Sequence, residues 1–127
     1  MARRTPPPLY EEITEGVRIR VRPKFMHDES EPARNKFMWS YTVEVENESD
    51  RTWTIVRRHW MIVDAAGRCQ AVDGDGVIGQ TPTLEPGERF SYTSGAPLSA
   101  PSGMMSGSYD MQDNEGDELS AIIPVFS

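Results

Sequence analysis

Three glycines, Gly74, Gly76 and Gly79, stand in the stretch DGDGVIGQ at the G-x-G-x-x-G spacing of folds that seat a dinucleotide pyrophosphate. That chemistry needs a strand before the pattern and a helix after it, because the helix N-terminus supplies the amides and the dipole that hold the phosphates. Here the pattern runs into QTPTLEPG, residues 80 to 87, where two prolines and a second turn leave no room for a crossover helix. The stretch therefore reads as a loop between strands, its glycines at positive φ and Val77 and Ile78 tucked onto the core. An alternative keeps a ligand. The amides of Gly74, Gly76 and Gly79 would turn inward as an anion nest, with Arg57 or Arg58 offsetting Asp73 and Asp75, and affinity would fall with salt.

Other residue types capable of chemistry are sparse. His27, in HDES, and His59, in RRHW, are the two histidines of the chain. They lack the i, i+4 spacing of a helical zinc site, and no third good ligand accompanies them, so no metal site is assigned. The acidic turn DMQDNEGDE, Asp110 to Glu118, resembles a calcium loop superficially. With Gly116 in the sixth position, however, the first ligand would be Met111, so a solvated turn or weak divalent-cation sensing is expected there. Ser94 and Ser102 sit in small-residue turns without the G-x-S-x-G elbow or an ordered base. Cys69, the single cysteine, excludes an internal disulfide and a cysteine-rich zinc site; beside Arg68 it is expected to be a partly buried structural residue. No catalytic residue and no cofactor are assigned.

The elements that must position these residues read as strands. A chain of 127 residues suits one domain, and its 10 glycines and 10 prolines fall in clusters that punctuate short apolar runs. EGVRIRVRPKF alternates strictly: Val17, Ile19 and Val21 face one way and Arg18, Arg20, Arg22 and Lys24 the other, up to Pro23, which suggests a strand at a sheet edge. The basic row is either edge protection or a docking strip for an acidic partner. FMWSYTVEVEN is a second strand. TWTIVRRHWMIVD is a third whose phase breaks, and a bulge between Ile55 and Arg58 would let Trp53, Ile55 and Trp60 all face inward. Further strands lie at RCQAV, at Phe90 and Tyr92 after the Pro86–Gly87 turn, and in a hairpin turning at Asp113 to Gly116. The last of these carries Leu119, Ala121, Ile123 and then Val125 inward. Tyr109 is read either as a corner tyrosine bonding backbone or as a core tyrosine.

About seven strands without a convincing helix make the fold class all-β: an antiparallel β-sandwich of immunoglobulin-like or fibronectin type III-like style. Residues 1–9 are expected to form a flexible tail and residues 10–127 the single domain. The net charge of −7 argues against nucleic-acid binding, and no run approaches the roughly 18 apolar residues of a membrane span. A cytoplasmic location is expected, without membrane insertion.

The motifs RRHWMIVD, GDGVIGQTPTLEPGERFSYTSGAPL, PSGMMSGSYDM and IIPVFS, in this order, resemble the ApaG family of bacteria, also known as CorD. The resemblance runs from about Tyr10 to Ser127. It implies a fibronectin type III-like sandwich and a link to cobalt resistance and magnesium efflux. Related domains look like protein-interaction modules in eukaryotic F-box proteins and in a DNA polymerase δ-interacting protein. The family's glycine motif falls on Gly74, Gly76 and Gly79, its Arg-His-Trp on Arg58, His59 and Trp60, and its Pro-Ser-Gly run on Pro101 to Tyr109. No catalytic residue carries over. The expectation is a non-enzymatic module that binds an unidentified protein partner through sheet edges and loops, as a monomer or weak homodimer. The alternatives are a pyrophosphate-bearing ligand at the glycine loop, a nucleotide or dinucleoside polyphosphate, or divalent-cation sensing.

Overall fold

A computed structural model describes residues 9–127, so the expected tail, apart from Leu9, lies outside the described residues. Nine strands follow one another: β1 (Tyr10–Thr14), β2 (Val17–Phe25), β3 (Phe37–Asn47), β4 (Trp53–Asp64), β5 (Cys69–Asp75), β6 (Thr83–Leu84), β7 (Arg89–Leu98), β8 (Gly103–Asp113) and β9 (Glu118–Phe126). Among the described residues the one helical piece is a 3-10 turn at Pro32–Arg34, and no helix is long and apolar enough to cross a membrane. The strands form two antiparallel sheets, ordered β1-β2-β3-β7 and β5-β4-β8-β9, with β6 paired to the start of β4. This is the all-β sandwich the sequence predicts, with β1 and β6 added. β1 escapes pattern reading because Glu11, Glu12 and Ile13 are all exposed, and β6 because it is two residues long.

β2 is an inner strand, which corrects its expected place at an edge. Val17 to Val21 pair with β1 on one side and with β3 on the other. Among the described residues β1 covers β2 only as far as the Tyr10–Val21 pair, and beyond it Pro23, which has no N–H to give a ladder, is tolerated. Half of the basic row is satisfied within the chain, because the acidic partners of Arg18 and Arg20 belong to the same chain. Arg18 pairs with Glu11 and with Glu48 at 2.9 Å, while Arg20 reaches both Glu44 and Glu46 at 2.8 Å. Arg20 and Glu44 are direct cross-strand partners, so the sheet register itself places the opposite charges together.

Two irregularities decide what faces the core. The β4–β8 register shifts between Ile55 and Arg57, and this bulge puts Trp53, Ile55 and Trp60 all inside, as the sequence requires. On β9, two residues (Pro124 and Val125) lie opposite one of β8 (Ser106). The alternation that buries Leu119, Ala121 and Ile123 therefore breaks. Val125 is 55% exposed, contrary to expectation, and Phe126 takes the inward place.

Phe126 and Tyr109 each present their rings at 90° to Trp60, at centroid distances of 6.1 and 6.4 Å, a favourable edge-to-face arrangement. Tyr109 is a core tyrosine. It is fully buried, and its hydroxyl meets that of Tyr92 on β7, joining the two sheets. Burial pushes both phenols well above their ordinary range, so both hydroxyls stay protonated and one donates to the other.

Candidate functional site

The sandwich is closed along one flank and open along the other. On the closed flank β1 meets β9: the Tyr10 and Phe126 rings lie 6.0 Å apart, and the Ile122 amide donates to Thr14 Oγ1 at 3.1 Å. On the opposite flank the edge strands β5 and β7 form no ladder, and a cavity of about 320 Å³ opens between them. Its floor is Arg58, Trp60 and Ile62, successive inward residues of β4 beyond the bulge, with Val72 of β5 and Tyr92 and Ala96 of β7 on the walls. Bulge and cavity are thus linked, because the register shift turns Arg58 inward and Arg57 outward.

The glycine loop stands at the Arg58 end of this cavity. Gly74 lies within β5 directly opposite Arg58 and has no positive φ, unlike the expectation for all three glycines. Its reason is room: a Cβ there would come within 2.6 Å of the Arg58 guanidinium. Gly76 has φ +59 and a Cβ would overlap the Gln80 carbonyl oxygen, so this position needs glycine twice over. The Gly76 amide donates to Val56 O at 2.7 Å, and Val77 and Gln80 exchange backbone hydrogen bonds of 2.7 and 2.9 Å. These amides close the turn on itself. Ile78 and Gly79 occupy its tip, both at positive φ. Val77 enters the core as expected, whereas Ile78 is 54% exposed and borders the cavity, a correction that follows from its place at the tip.

Arg58 Nη1 donates to the carbonyls of Asp75 at 2.8 Å and Gly76 at 3.2 Å. The structure therefore brings Arg58 together with Gly74 and Gly76. Arg57 points away from the loop, toward Asp110 at 3.9 Å on the outer sheet face.

On that outer face, the side chains of three neighbouring strands converge. His59 Nδ1 lies 2.6 Å from Asp73 Oδ1 and its Nε2 lies 2.8 Å from Asp110 Oδ2. The sequence reading missed this group because Asp73 and Asp110 meet His59 only through the β5–β4–β8 register. Hydrogen bonds to Asp110 and then Asp73 raise the His59 pKa above its ordinary 6.5. A raised folded pKa adds stability that is complete below 6.5 and is lost as pH rises through the folded value. Urea midpoints of the wild type are expected to fall over that window, with no matching fall in His59→Gln; parallel profiles for the two proteins would refute the linkage.

The remaining candidates do not join a common site. His27 lies in the exposed turn after β2, in the other sheet from His59. Cys69 is exposed at the start of edge strand β5, a correction to its expected partial burial. Ser94 lines the open flank, and the Ser102 carbonyl accepts the Ala65 amide. In the acidic turn Asp113, Glu115 and Asp117 draw near one another. Asp113 Oδ1 already accepts the Glu115 and Asp117 amides, and Arg51 reaches Asp113 and Asp117 at 3.1 and 2.8 Å.

Comparison with known proteins agrees with this architecture. Residues 27–113 match the model of the ApaG domain. The chain is 51% identical over 119 residues to Protein ApaG of Maricaulis maris, covering 94% of this chain and 92% of that protein. It is 44% identical over the same shares to Protein ApaG of Paramagnetospirillum magneticum. The crystal structure of the putative ApaA protein from Bordetella pertussis superposes with a TM-score of 0.85 at 37% identity, covering 87% of this chain and 89% of that one. Strand order, core motifs and these similarities converge, and the chain belongs to the ApaG family.

Proposed function

We propose that this domain is a non-enzymatic, cytoplasmic protein-interaction module that takes up an extended segment of another protein along the open flank between β5 and β7. The observation that carries the reading is the unequal closure of the sandwich. β1 and β9 cover each other, while among the described residues β5 and β7 keep unpaired edges on either side of an aromatic-walled cavity. An added strand would satisfy those edge groups through main-chain hydrogen bonds and place alternate side chains in the cavity. The family's link to cobalt resistance and magnesium efflux then runs through the partner. The carboxylates of Asp113 and Asp117 are already engaged by Arg51.

A displayed library of extended peptides, panned against the domain, tests the proposal. Enriched peptides are expected to shift the amides of residues 70–72 and 94–96 in NMR titration. Val72→Lys, which sets a charge on the cavity wall, is expected to weaken them about tenfold or more at unchanged fold. Failure to enrich any peptide that perturbs these strands would remove the reading.

A further inference from the structure

Resting on the strand-addition reading, we infer that the segment taken up is acidic and apolar by turns: it brings a carboxylate to Arg58 and, two residues on, a large apolar side chain over Trp60 and against Ile78.

The charge argument comes from the arginines. Among the described residues seven of nine arginines pair with a carboxylate, and the exceptions are Arg22 and Arg58. Arg22 is exposed and solvated, but Arg58 is half-buried in the cavity floor. Its Nη1 is engaged by the loop carbonyls, while Nε and Nη2 have no acceptor among the described residues. Among the described residues Arg58 is also the one charged residue lining the cavity. A guanidinium held in place by the loop, shielded from bulk water on its inner side and lacking a counter-ion, is complementary to a carboxylate. The loop itself argues for a strand bearing that carboxylate rather than for a free polyphosphate. Its Gly76, Val77 and Gln80 amides are turned onto backbone carbonyls, and Asp73 and Asp75 flank it.

Ile78 supplies the second element. It is β-branched yet has φ +44, in a turn position that asparagine or glycine fills without strain. The side chain is exposed at the cavity rim, where it adds apolar surface without packing in the core. Strain kept at an exposed apolar residue beside a cavity points to a contact made with a partner. Spacing joins the two elements. Arg58 and Trp60 follow each other at about 6.6 Å along β4, and a strand laid beside them repeats that spacing at every second residue.

The test uses terminally blocked peptides: Thr-Glu-Thr-Phe-Thr-Leu-Thr, its Gln-for-Glu counterpart, and a version with Glu and Phe exchanged. Each is titrated by amide NMR into the wild type, Arg58→Gln and Ile78→Asn, beside inorganic pyrophosphate. The Glu peptide is expected to shift amides on β5 and β7 and to bind about tenfold tighter than the Gln and exchanged versions. That preference should shrink with added salt and vanish in Arg58→Gln. Ile78→Asn should weaken the Glu and Gln peptides, which share the phenylalanine position, severalfold while its Tm rises above wild type, a combination that a misfolded variant cannot produce. Equal affinity of the Glu and Gln peptides, with shifts on β5 and β7, overturns the acidic occupant and leaves strand addition standing. Unchanged affinity in Ile78→Asn overturns the role of Ile78. Absence of binding by these and by all displayed peptides overturns both readings. Shifts of residues 73–80 by pyrophosphate alone assign the site to phosphate instead.

Discussion

Gly107→Ala is expected to lower stability by about 3 kcal/mol or more and to drop Tm by about 10–15 °C, read by thermal and urea unfolding. Gly107 lies on β8 between Trp60 of β4 and Ile123 of β9, where the β8–β9 register shifts. A Cβ there would overlap the His59 carbonyl oxygen and come within 3.0 Å of the His59 carbonyl carbon and 3.2 Å of Trp60 Cα. All of these are backbone atoms in the middle of a sheet, so relief requires β4 and β8 to separate. The cost is overpacking that no rotamer change can relieve. Gly95→Ala on β7 is the control, because its Cβ would meet Met38 Sδ at an ordinary 3.7 Å. That variant should stay within about 0.5 kcal/mol of wild type. If the two alanine variants unfold alike, close approach at Gly107 is not what holds β8 in place.

The same position connects stability to the open flank. β4 carries His59 on the outer face and Arg58 and Trp60 on the cavity floor, and Gly107 pairs with it at Trp60. Displacing β4 there would move the cavity floor as well as weaken the sheet. Surviving Gly107→Ala protein is therefore also expected to bind the acidic peptide less well.

Fold and site differ in how far the chain alone reveals them. Alternation in Val17 to Val21 and in Tyr41 to Val45 shows buried strand faces, since period-two patterning survives any choice of neighbour. Even the bulge near Val56 is readable, because Trp53 and Trp60 cannot otherwise share a side. Neighbours are what local patterning lacks. The edge assignment of β2 fails because β1 carries three exposed residues and gives no apolar signal. The pairing of Arg20 with Glu44 and Glu46, and of His59 with Asp73 and Asp110, exists only once register is set. The glycine loop is intermediate. Its flanking prolines remove the dinucleotide fold, yet the separate duties of Gly74 and Gly76 appear only with Arg58 and Gln80 in place. Ile78 could have been noticed earlier, as the residue before Gly79 in a turn where a β-branched side chain is out of character.

Asn47→Ala is the other large effect expected, a loss of about 2–4 kcal/mol in urea unfolding. Asn47 is fully buried at the end of β3. Its Nδ2 donates to Arg51 O at 2.6 Å and Leu84 O at 2.9 Å, and its Oδ1 accepts the Ser49 amide at 3.0 Å and the Ser49 hydroxyl at 2.6 Å. One side chain thus ties a strand of the first sheet to the β3–β4 turn and to β6, which pairs with β4 of the second. Alanine removes four hydrogen bonds and leaves the buried Leu84 carbonyl without this donor. Ser49→Ala, losing only the hydroxyl, should cost about 1 kcal/mol. Asn47→Asp separates polarity from shape: the volume is kept, but a carboxylate faces two carbonyls, which raises its folded pKa above the unfolded value of about 3.9. Its deficit should therefore be smallest below that pH and grow as pH rises through the folded pKa. A deficit for Asn47→Asp that is flat with pH, or an Asn47→Ala midpoint equal to wild type, would mean that the two sheets are held by apolar packing alone at this end.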